Sequence, residues 1–451
     1  MARRTGYPLL AGLAAVAVLV SAAIFVGAGG GPAASGTGTP RAGTTVAPVA
    51  SGTWVGAWSA APVSAEPGAP EGHPDASLRN VVHLSAGGSA ARVRVSNLFG
   101  TRPLVLAHAT VALAAAPGGP AAVPGTVRRL TFGTHPEVTV PAGAELTSDA
   151  VRLDVPADTD LLVTLHTPAA SGPVTHHRFA RQTGYLARGD RAADVSGAAY
   201  TERTAHWRYV TAVDVWTDRA EGAVVVLGDS ITDGITATFG ADHRWTDFLA
   251  DRLRTEPGAP RYAVLNQGIS GNRILRGAPR GSPANGPAAL TRLERDVLSH
   301  SGAEVLIVQL GVNDILKTPH RTDPARIADG LAELARRAQR HGLRVVGTTL
   351  LPFGGHPKHS ARLEAVRREV NDRVRRGDAG FDAVVDLDAA LRDPGRPERL
   401  RPAYDSGDHV HPNDAGFRAM ADAVDPALLG AAPPHGGSRA GVRAAAEQAG
   451  H

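Results

Sequence analysis

VVVLGDSITDG, residues 224–234, runs from an apolar segment directly into a polar turn. Consecutive apolar residues are typical of a strand that is covered on both faces of a sheet. The turn places the hydroxyl of Ser230 at the C-terminal edge of that strand, where open α/β sheets bind their ligands. Ser230 is therefore a candidate nucleophile. Taken alone, the stretch fits equally well a set of polar residues that only cap a following helix.

From Glu221 onward, strand-like and helix-like segments alternate. The strand candidates are Val224 to Leu227, Tyr262 to Leu265, Val305 to Leu310, Val345 to Leu350 and Ala383 to Leu387. Such alternation predicts an α/β fold with a three-layer, doubly wound parallel sheet over residues 219–430.

The helices between these strands have readable ends and apolar faces. Asp323 is a candidate N-cap followed by proline at the first helical position, and His341-Gly342 closes the same helix. A further helix is predicted to begin near Asp414. Apolar residues recur at helical spacing at Ile327, Leu331, Leu334 and Ala338, and again at Leu363, Val366, Val370 and Val374.

Residues 53–218 show a different pattern, with short segments of period two separated by Gly and Pro. Examples are residues 92–96, 137–140 and 151–155, while residues 161–165 are more continuously apolar. Many short strands without helical periodicity predict a β-sandwich or jelly-roll-like domain. This region holds Trp54, Trp58, Trp207 and Trp216, which either fill its core or, as the weaker hypothesis, stack on sugars.

Both ends of the chain differ in composition from these two regions. Residues 1–28 contain Arg3 and Arg4 and then a long apolar run, which predicts a signal peptide or an uncleaved membrane anchor. Either interpretation places the protein outside the cytoplasm, secreted or held at the outer face of the membrane. Residues 29–52 are predicted to be a flexible linker and residues 431–451 a disordered tail.

Composition narrows the classes of function. Of the 451 residues, 43% are hydrophobic, which is enough to bury the cores of two domains. Cysteine is absent, so disulfides and thiolate metal ligands are excluded. The net charge of +4 is modest and spread along the chain, so no nucleic-acid partner is predicted. Lysine occurs only at Lys317 and Lys358, and no feature of the sequence indicates an oligomeric state.

Polar residues follow the predicted strands in four separate blocks. The blocks are Ser230, residues 266–272 (NQGISGN), residues 311–314 (GVND) and residues 407–413 (GDHVHPN). Each block alone could be an ordinary turn. Because a parallel sheet brings the C-terminal ends of its strands together, the four are expected to converge on one crevice.

These blocks resemble those of the SGNH hydrolases, also called GDSL esterases and lipases. The family is named for four residues that match Ser230, Gly268, Asn313 and His411 here. The resemblance covers residues 221–429 and implies a flavodoxin-like α/β fold. The β-rich region, with Trp54 to Trp58 at its start, is similar to the N-terminal part of larger secreted bacterial members.

The resemblance also implies a role for each block. His411 would be the general base, because imidazole both accepts and returns a proton near neutral pH, and Asp408 would orient its ring. His409 and Asp405 are the rival pair. The implied oxyanion donors are the backbone N–H groups of Ser230 and Gly268 and the side-chain amide of Asn313.

The predicted function is a secreted serine carboxylic-ester hydrolase that forms an acyl-enzyme and needs neither a metal nor an organic cofactor. The predicted substrates are short-chain acyl or acetyl esters, those of carbohydrates among them, with longer-chain lipids or phospholipids as the alternative. Two other hypotheses stay open. One is a metal-dependent phosphoesterase that uses Asp229, Asp314, Asp408 and His411 as ligands, and the other is a catalytically silent, cell-surface carbohydrate-binding protein.

Overall fold

The computed structural model describes residues 52–278 and 283–430. The predicted signal peptide or anchor (1–28), the linker up to residue 51 and the tail (431–451) lie outside the described residues, so these assignments and the extracellular location stay predictions. None of the helices in these two ranges combines the length and the hydrophobicity that a transmembrane span requires.

The first part of the described chain consists of short strands. These are β1 (Thr53–Ser59), β2 (Ser64–Ala65), β3 (Ala76–Leu84), β4 (Gly88–Ser96), β5 (Leu104–Leu106), β6 (His108–Leu113), β7 (Arg128–Arg129) and β8 (Val138–Val140). They continue as β9 (Glu145–Thr147), β10 (Val151–Val155), β11 (Thr159–Thr167), β12 (Thr175–His177), β13 (Gly184–Arg188), β14 (Glu202–Thr204), β15 (Trp207–Arg208) and β16 (Val210–Thr217).

These strands pair antiparallel in several sheets. The two largest have the orders β1-β16-β4-β10, with β9 on β4, and β14-β13-β3-β11-β6-β7. The predicted segments at 92–96, 137–140, 151–155 and 161–165 fall in β4, β8, β10 and β11. The β-rich character is therefore observed, while the assignment to a sandwich or jelly roll stays a prediction. Trp58 and Trp207 are buried and pack edge to face with ring centroids 4.9 Å apart, as expected for core residues.

The second part is built on a parallel sheet. Its strands are β17 (Gly222–Gly228), β18 (Tyr262–Gly268), β19 (Ala303–Gln309), β20 (Arg344–Thr348) and β21 (Ala383–Val385). They lie in the order β18-β17-β19-β20-β21, with every pair parallel. The five strands and the α/β class are thus confirmed. Pairing changes from antiparallel to parallel between Thr217 and Gly222, and a division into two domains there stays a prediction.

Helices connect the parallel strands. They are α1 (Ser230–Asp233), α2 (Trp245–Thr255), α3 (Ala289–Leu293), α4 (Val312–Leu316), α5 (Pro324–Arg340), α6 (Ala361–Arg376), α7 (Leu387–Leu391) and α8 (Asp414–Asp422), with short helical turns at Pro283–Asn285, Glu294–Leu298 and Pro426–Leu429. A hairpin of β22 (Arg392–Asp393) and β23 (Arg396–Leu400) follows α7. The predicted N-cap Asp323 accepts the N–H of Ala325 at 3.0 Å, and α8 begins at Asp414 as predicted.

The β-rich region packs against the edge of the parallel sheet, and one hydrophobic core contains residues of both. The Oγ of Ser85 lies 3.0 Å from both the nitrogen and the carbonyl oxygen of Val264 on the edge strand β18. A Cβ at position 56 would lie 2.8 Å from the side chain of Leu265, so Gly56 lets β1 approach that strand closely. This packing brings loops of the β-rich region to the C-terminal edge of the parallel sheet.

Candidate active site

Ser230 is the first residue of α1 and follows β17 after one intervening residue. That residue, Asp229, is the N-cap, and its Oδ1 accepts the N–H of Ile231 at 3.1 Å. Asp229 is fully buried, whereas Ser230 lines a cavity. Capping is therefore carried out by Asp229, which leaves the hydroxyl of Ser230 available for other contacts.

His411 and Asp408 form a chain of hydrogen bonds that ends on the hydroxyl of Ser230. The Nε2 atom of His411 lies 2.8 Å from Oγ of Ser230, and its Nδ1 lies 2.5 Å from Oδ2 of Asp408. The other oxygen of Asp408 accepts the backbone N–H groups of Val410 at 3.0 Å and of His411 at 2.8 Å. The loop itself thus fixes the carboxylate against the imidazole, 181 residues along the chain from the serine.

The order of these contacts determines the tautomer. A carboxylate only accepts hydrogen bonds, so Nδ1 of His411 carries a hydrogen and Nε2 is free to accept the hydrogen of Ser230. Burial raises the pKa of Asp408, but hydrogen bonds from the ring and backbone of His411 outweigh it and hold that pKa well below its usual range. Asp408 therefore stays ionised at any pH at which the protein would work.

The rival pair is also formed, but it points elsewhere. Nδ1 of His409 lies 2.6 Å from Oδ2 of Asp405, and the His409 backbone has φ 65°. In the described structure His409 makes no contact with Ser230. The structure therefore brings His411, rather than His409, to the serine.

The cavity at Ser230 has a volume of about 300 Å³. Its walls combine apolar, amide and cationic side chains. They are formed by Arg178, Phe179, Ser230, Ile235, Ser270, Gly271, Ala284, Asn285, Val312, Asn313, Leu316, Lys317, His356, Lys358, Val410 and His411. Arg178 and Phe179 come from the loop that follows β12, so the β-rich region supplies part of the wall.

Gly268 does not reach this cavity, which corrects the role that the resemblance implied. Its N–H donates to Oδ1 of Asn266 at 2.9 Å. A Cβ at position 268 would lie 2.3 Å from the backbone nitrogen of Asp233, so the glycine allows β18 to pack against α1. Gly271, in the turn three residues later, lines the cavity instead. Among the described residues, no hydrogen-bond acceptor faces the N–H of Gly271.

Asn313 presents its amide beside the serine. Its Nδ2 donates one hydrogen to Oδ2 of Asp229 at 3.3 Å, which leaves the second hydrogen for the cavity that the residue lines. Burial raises the pKa of Asp229 to about 7, against smaller opposing contributions from the hydrogen bonds of Ile231 and Asn313 and from His411. Asp229 thus orients the amide and is itself poorly solvated.

A second histidine, His177 of the β-rich region, contacts Asp233 at the end of α1. Nε2 of His177 lies 3.0 Å from Oδ1 of Asp233, and its Nδ1 lies 2.8 Å from the carbonyl oxygen of Ala61. The other carboxylate oxygen of Asp233 accepts both the N–H of Ser270 at 2.9 Å and its hydroxyl at 2.6 Å. This buried network holds the turn that carries Gly271. Sequence reasoning missed it, because adjacent histidines in a β-rich segment carry no catalytic motif.

The buried guanidinium of Arg292 bridges the C-terminal ends of β17 and β18. Arg292 donates to the carbonyl oxygens of Gly228 and Gln267, both at 2.9 Å, and to Oδ1 of Asn272 at 3.1 Å. Asn272 in turn donates to the carbonyl oxygen of Pro287 at 2.7 Å. These bonds fix the ends of β17 and β18, from which the serine and the Gly271 turn project.

The residues of the metal hypothesis are not gathered into one ligand set. Asp314 accepts the backbone N–H groups of Ile274 at 2.8 Å and Leu275 at 3.2 Å, and Asp408 faces His411. In the described ranges, the group of side chains that could hold a metal ion is elsewhere and consists of His83, Asp160 and Asp242. The hypothesis that Asp229, Asp314, Asp408 and His411 form a metal centre has no support from this geometry.

Comparison with known proteins agrees with the site. Residues 226–419 match the GDSL-like lipase/acylhydrolase family, so this part of the chain is a GDSL-type domain and the protein is an ester-bond hydrolase. The family and the enzyme class predicted from the sequence are therefore confirmed. A comparison with curated proteins gives no match.

Several solved structures are similar at low identity. A GDSL-like lipase from Bacteroides thetaiotaomicron is 20% identical and has a TM-score of 0.35, with 46% of this chain and 88% of that chain covered. An acetylxylan esterase from Geobacillus stearothermophilus is 21% identical with a TM-score of 0.34, covering 47% and 95%. A family two carbohydrate esterase from Clostridium thermocellum is 15% identical with a TM-score of 0.32, covering 77% and 88%.

Proposed function

We propose that the protein is a serine carboxylic-ester hydrolase that works through an acyl-enzyme, with Ser230 as nucleophile, His411 as general base and Asp408 as its orienting carboxylate. The observation that carries this proposal is the line of contacts from Asp408 through His411 to Ser230, with its serine end in a cavity. A hydroxyl becomes an effective nucleophile only when a base takes its proton during attack.

The chemistry follows from these contacts. Oγ of Ser230 attacks the ester carbonyl carbon, and Nε2 of His411 takes the hydroxyl proton. The resulting oxyanion is stabilised by the N–H groups of Ser230 and Gly271 and by the side-chain amide of Asn313. His411 then gives its proton to the departing alkoxide as the carbon–oxygen bond breaks. In the second half, His411 takes a proton from water as the water oxygen attacks the acyl carbon. His411 then returns that proton to Oγ of Ser230 as the acyl–oxygen bond breaks, which releases the carboxylic acid and regenerates the free serine.

The cavity supports small acyl groups. Its volume of about 300 Å³ is at the lower end of the range for small-molecule pockets. Its larger apolar side chains are Phe179, Ile235, Val312, Leu316 and Val410, and a cavity of this size suits an acetyl or other short acyl chain better than a long one. Esters of carbohydrates and other soluble alcohols fit this class, and a lipase acting on long chains is the alternative.

We further propose the finer features of the fold and location. The parallel sheet with its connecting helices belongs to the three-layer, flavodoxin-like type, and the β-rich region is of the sandwich or jelly-roll type. The apolar run within residues 1–28 supports export of the protein from the cytoplasm.

The test uses purified full-length protein and p-nitrophenyl esters from acetate to laurate, in the presence of a chelator. We expect hydrolysis of the acetate to persist in chelator and to fall by about 10⁴-fold or more in Ser230→Ala. Ser196→Ala, which changes an exposed serine in the β-rich region, is the matched control. Activity that Ser230→Ala leaves intact would overturn the mechanism, and a maximum at long acyl chains would favour the lipase alternative.

A further inference from the structure

Both lysines of this chain line the cavity at Ser230. The sequence has 47 lysines and arginines, of which only Lys317 and Lys358 are lysine, so these two ammonium groups are rare in an otherwise arginine-based chain. Lys317 follows α4 directly, and Lys358 lies in the loop before α6. Arg178, from the loop after β12, adds a third cation to the same wall.

Among the described residues, no aspartate or glutamate lines the cavity, and none forms an ion pair with Lys317, Lys358 or Arg178. The buried Asp229 acts on Lys317 only through its charge. Cationic side chains elsewhere are commonly paired. For example, the buried Arg292 contacts Asp296 at 2.9 Å, and Arg208 contacts Glu66 at 2.6 Å. The wall of this cavity therefore presents three cationic side chains and no carboxylate.

The environment of Lys317 is unfavourable for a cation. Burial lowers the pKa of Lys317, the neighbouring charges of Arg273 and Lys358 lower it further, and the opposing effect of the Asp229 carboxylate is smaller. An ammonium group that is partly removed from water and faces like charges is stabilised by any anion that enters the site. The carboxamide of Asn285, which can accept from Nζ at 3.2 Å, is a neutral partner and does not balance the charge.

The position of Lys317 relates this charge to the reaction. A Cβ built on Gly271 would lie 2.6 Å from Nζ of Lys317, so the ammonium group lies beside the turn that faces the reacting carbonyl. On the same wall, Asn313 presents its amide one helical turn before Lys317. An anionic group within a few bonds of the ester would meet Lys317 while the carbonyl lies at Ser230.

We infer that the substrate is an ester with a negatively charged group close to the reacting carbonyl, held by Lys317, Lys358 and Arg178. The inference rests on the proposed ester hydrolysis and adds the substrate class to it. Carboxylate and phosphate share the required chemistry, since both accept charge-assisted hydrogen bonds from ammonium and guanidinium groups. A fixed cluster of like charge in a cleft also raises the rate at which oppositely charged ligands enter it.

The experiment compares matched aryl acetates with the purified full-length protein. The anionic substrates are 4-acetoxybenzoate and 4-acetoxyphenyl phosphate, and the neutral substrate is 4-acetoxybenzamide, which has nearly the same shape as the benzoate. We expect kcat/KM to be about tenfold higher for at least one anionic ester than for the amide, equal to about 1.4 kcal/mol. The better of the two anions distinguishes carboxylate from phosphate.

Variants locate the origin of this preference. In Lys317→Gln combined with Lys358→Gln, the ratio of anionic to neutral kcat/KM is expected to fall to about one, while the paired Lys→Arg changes should keep most of it. Arg340→Gln, an exposed charge at the far end of α5, is the control and should leave the ratio unchanged. Raising NaCl to 0.5 M should reduce the ratio in the native protein, because salt screens exposed charges.

The outcomes separate this inference from the proposed function. If neither class of ester is hydrolysed, or if Ser230→Ala retains activity, ester hydrolysis at this site fails. If the amide is hydrolysed through Ser230 but the native ratio is near one, only the anionic substrate class is overturned. A high ratio that survives both lysine changes, or lysine changes that slow both substrates equally, also overturns it.

Discussion

Two histidine–aspartate pairs approach the nucleophile from different regions of the molecule. Asp408 and His411, after the parallel sheet, face the cavity and end on the hydroxyl of Ser230. Asp233 and His177, between the sheet and the β-rich region, are buried and end on Ser270. Both pairs consist of the same residue types and end on a serine, yet only the first can carry out proton transfer.

The difference lies in what each imidazole faces. The ring of His411 has a carboxylate on one nitrogen and a hydroxyl on the other, so it can take a proton and return it. The ring of His177 has an acceptor on both nitrogens, the carbonyl oxygen of Ala61 and the carboxylate of Asp233. Neither nitrogen of the His177 ring faces a hydroxyl whose proton it could take, so the ring is a support rather than a base. Residue type alone therefore does not define a catalytic histidine.

The largest expected effect separates the two histidines. His411→Gln should lower kcat for p-nitrophenyl acetate by about 10⁴-fold, because no base then takes the proton of Ser230. Its thermal stability should change little, since its side chain is partly exposed and makes few contacts in the core. Steady-state kinetics together with thermal unfolding measure both quantities. A loss below about tenfold would mean that another group is the base.

The next largest loss of activity is expected from removal of an oxyanion donor. Asn313→Ala should lower kcat by about 10²–10³-fold with a smaller change in KM, because the amide interacts with charge that exists only in the transition state. Asn313→Asp is the matched variant, which keeps the size of the side chain but replaces the donor by an acceptor. If Asn313→Ala raises KM and spares kcat, its amide binds the ground state rather than the oxyanion.

A change in the buried pair of His177 and Asp233 should cause a smaller loss of activity and a larger loss of stability. His177→Ala leaves the buried carboxylate of Asp233 without its partner and should lower the free energy of unfolding by about 3 kcal/mol. By loosening the turn of Ser270 and Gly271, it should also lower kcat by about tenfold. His177→Gln, whose amide can donate to Asp233, should restore part of both.

His176 offers a control on the same strand. Its ring is buried and contacts the carbonyl oxygen of Ser64 at 2.9 Å, but it does not touch Asp233. His176→Ala should therefore lower stability without lowering kcat. Equal losses of kcat in His176→Ala and His177→Ala would show that activity follows general stability rather than this pair.

A third carboxylate near the serine has no histidine partner, and its effect should appear in stability. Burial raises the pKa of Asp229 to about 7, while an aspartate in an unfolded chain titrates near 4. Between roughly pH 4 and 7 the folded protein binds the additional proton, so its free energy of unfolding falls as pH rises through this window and levels off above it. Below pH 4 both states are protonated and there is no dependence.

Asp229→Asn removes this titration. Relative to the native protein, the variant should gain Tm steadily as pH rises from 4.5 to 7.5, even if it loses some stability at all pH values from its altered contact with Asn313. Thermal unfolding across this range measures the difference. Parallel pH curves for the two proteins would contradict the assignment.

The parts of the site that could be predicted are those that follow local rules. Apolar runs predicted the five parallel strands, and the polar blocks that follow two of them predicted Ser230 and Asn313. His411 came from the block before α8, which follows the hairpin of β22 and β23 rather than a strand of the parallel sheet. The choice between Gly268 and Gly271 could not be made from sequence. Both are glycines of one block, and only strand pairing shows that Gly268 is still paired with Gly228 while Gly271 lies in the turn beyond.

Local sequence patterns could not predict contacts between residues that are far apart in the chain. His177 and Asp233 are 56 residues apart, and no periodicity links them. Arg178 was missed for the same reason, because it reaches the cavity through the packing of the β-rich region on the sheet. Lys317 and Lys358 did carry a signal, since they are the only lysines in the sequence, but their proximity required the structure.

The hydroxyl of Ser85 has a consequence for how the molecule avoids aggregation. Strand β18 is at the edge of the parallel sheet, and exposed edges recruit strands from other chains. By bonding to both backbone groups of Val264, Ser85 closes part of that edge, and Gly56 brings β1 over Leu265. If the β-rich region were removed, this edge and its apolar side chains would be exposed to solvent. We therefore expect residues 219–430 alone to self-associate more readily than the full chain.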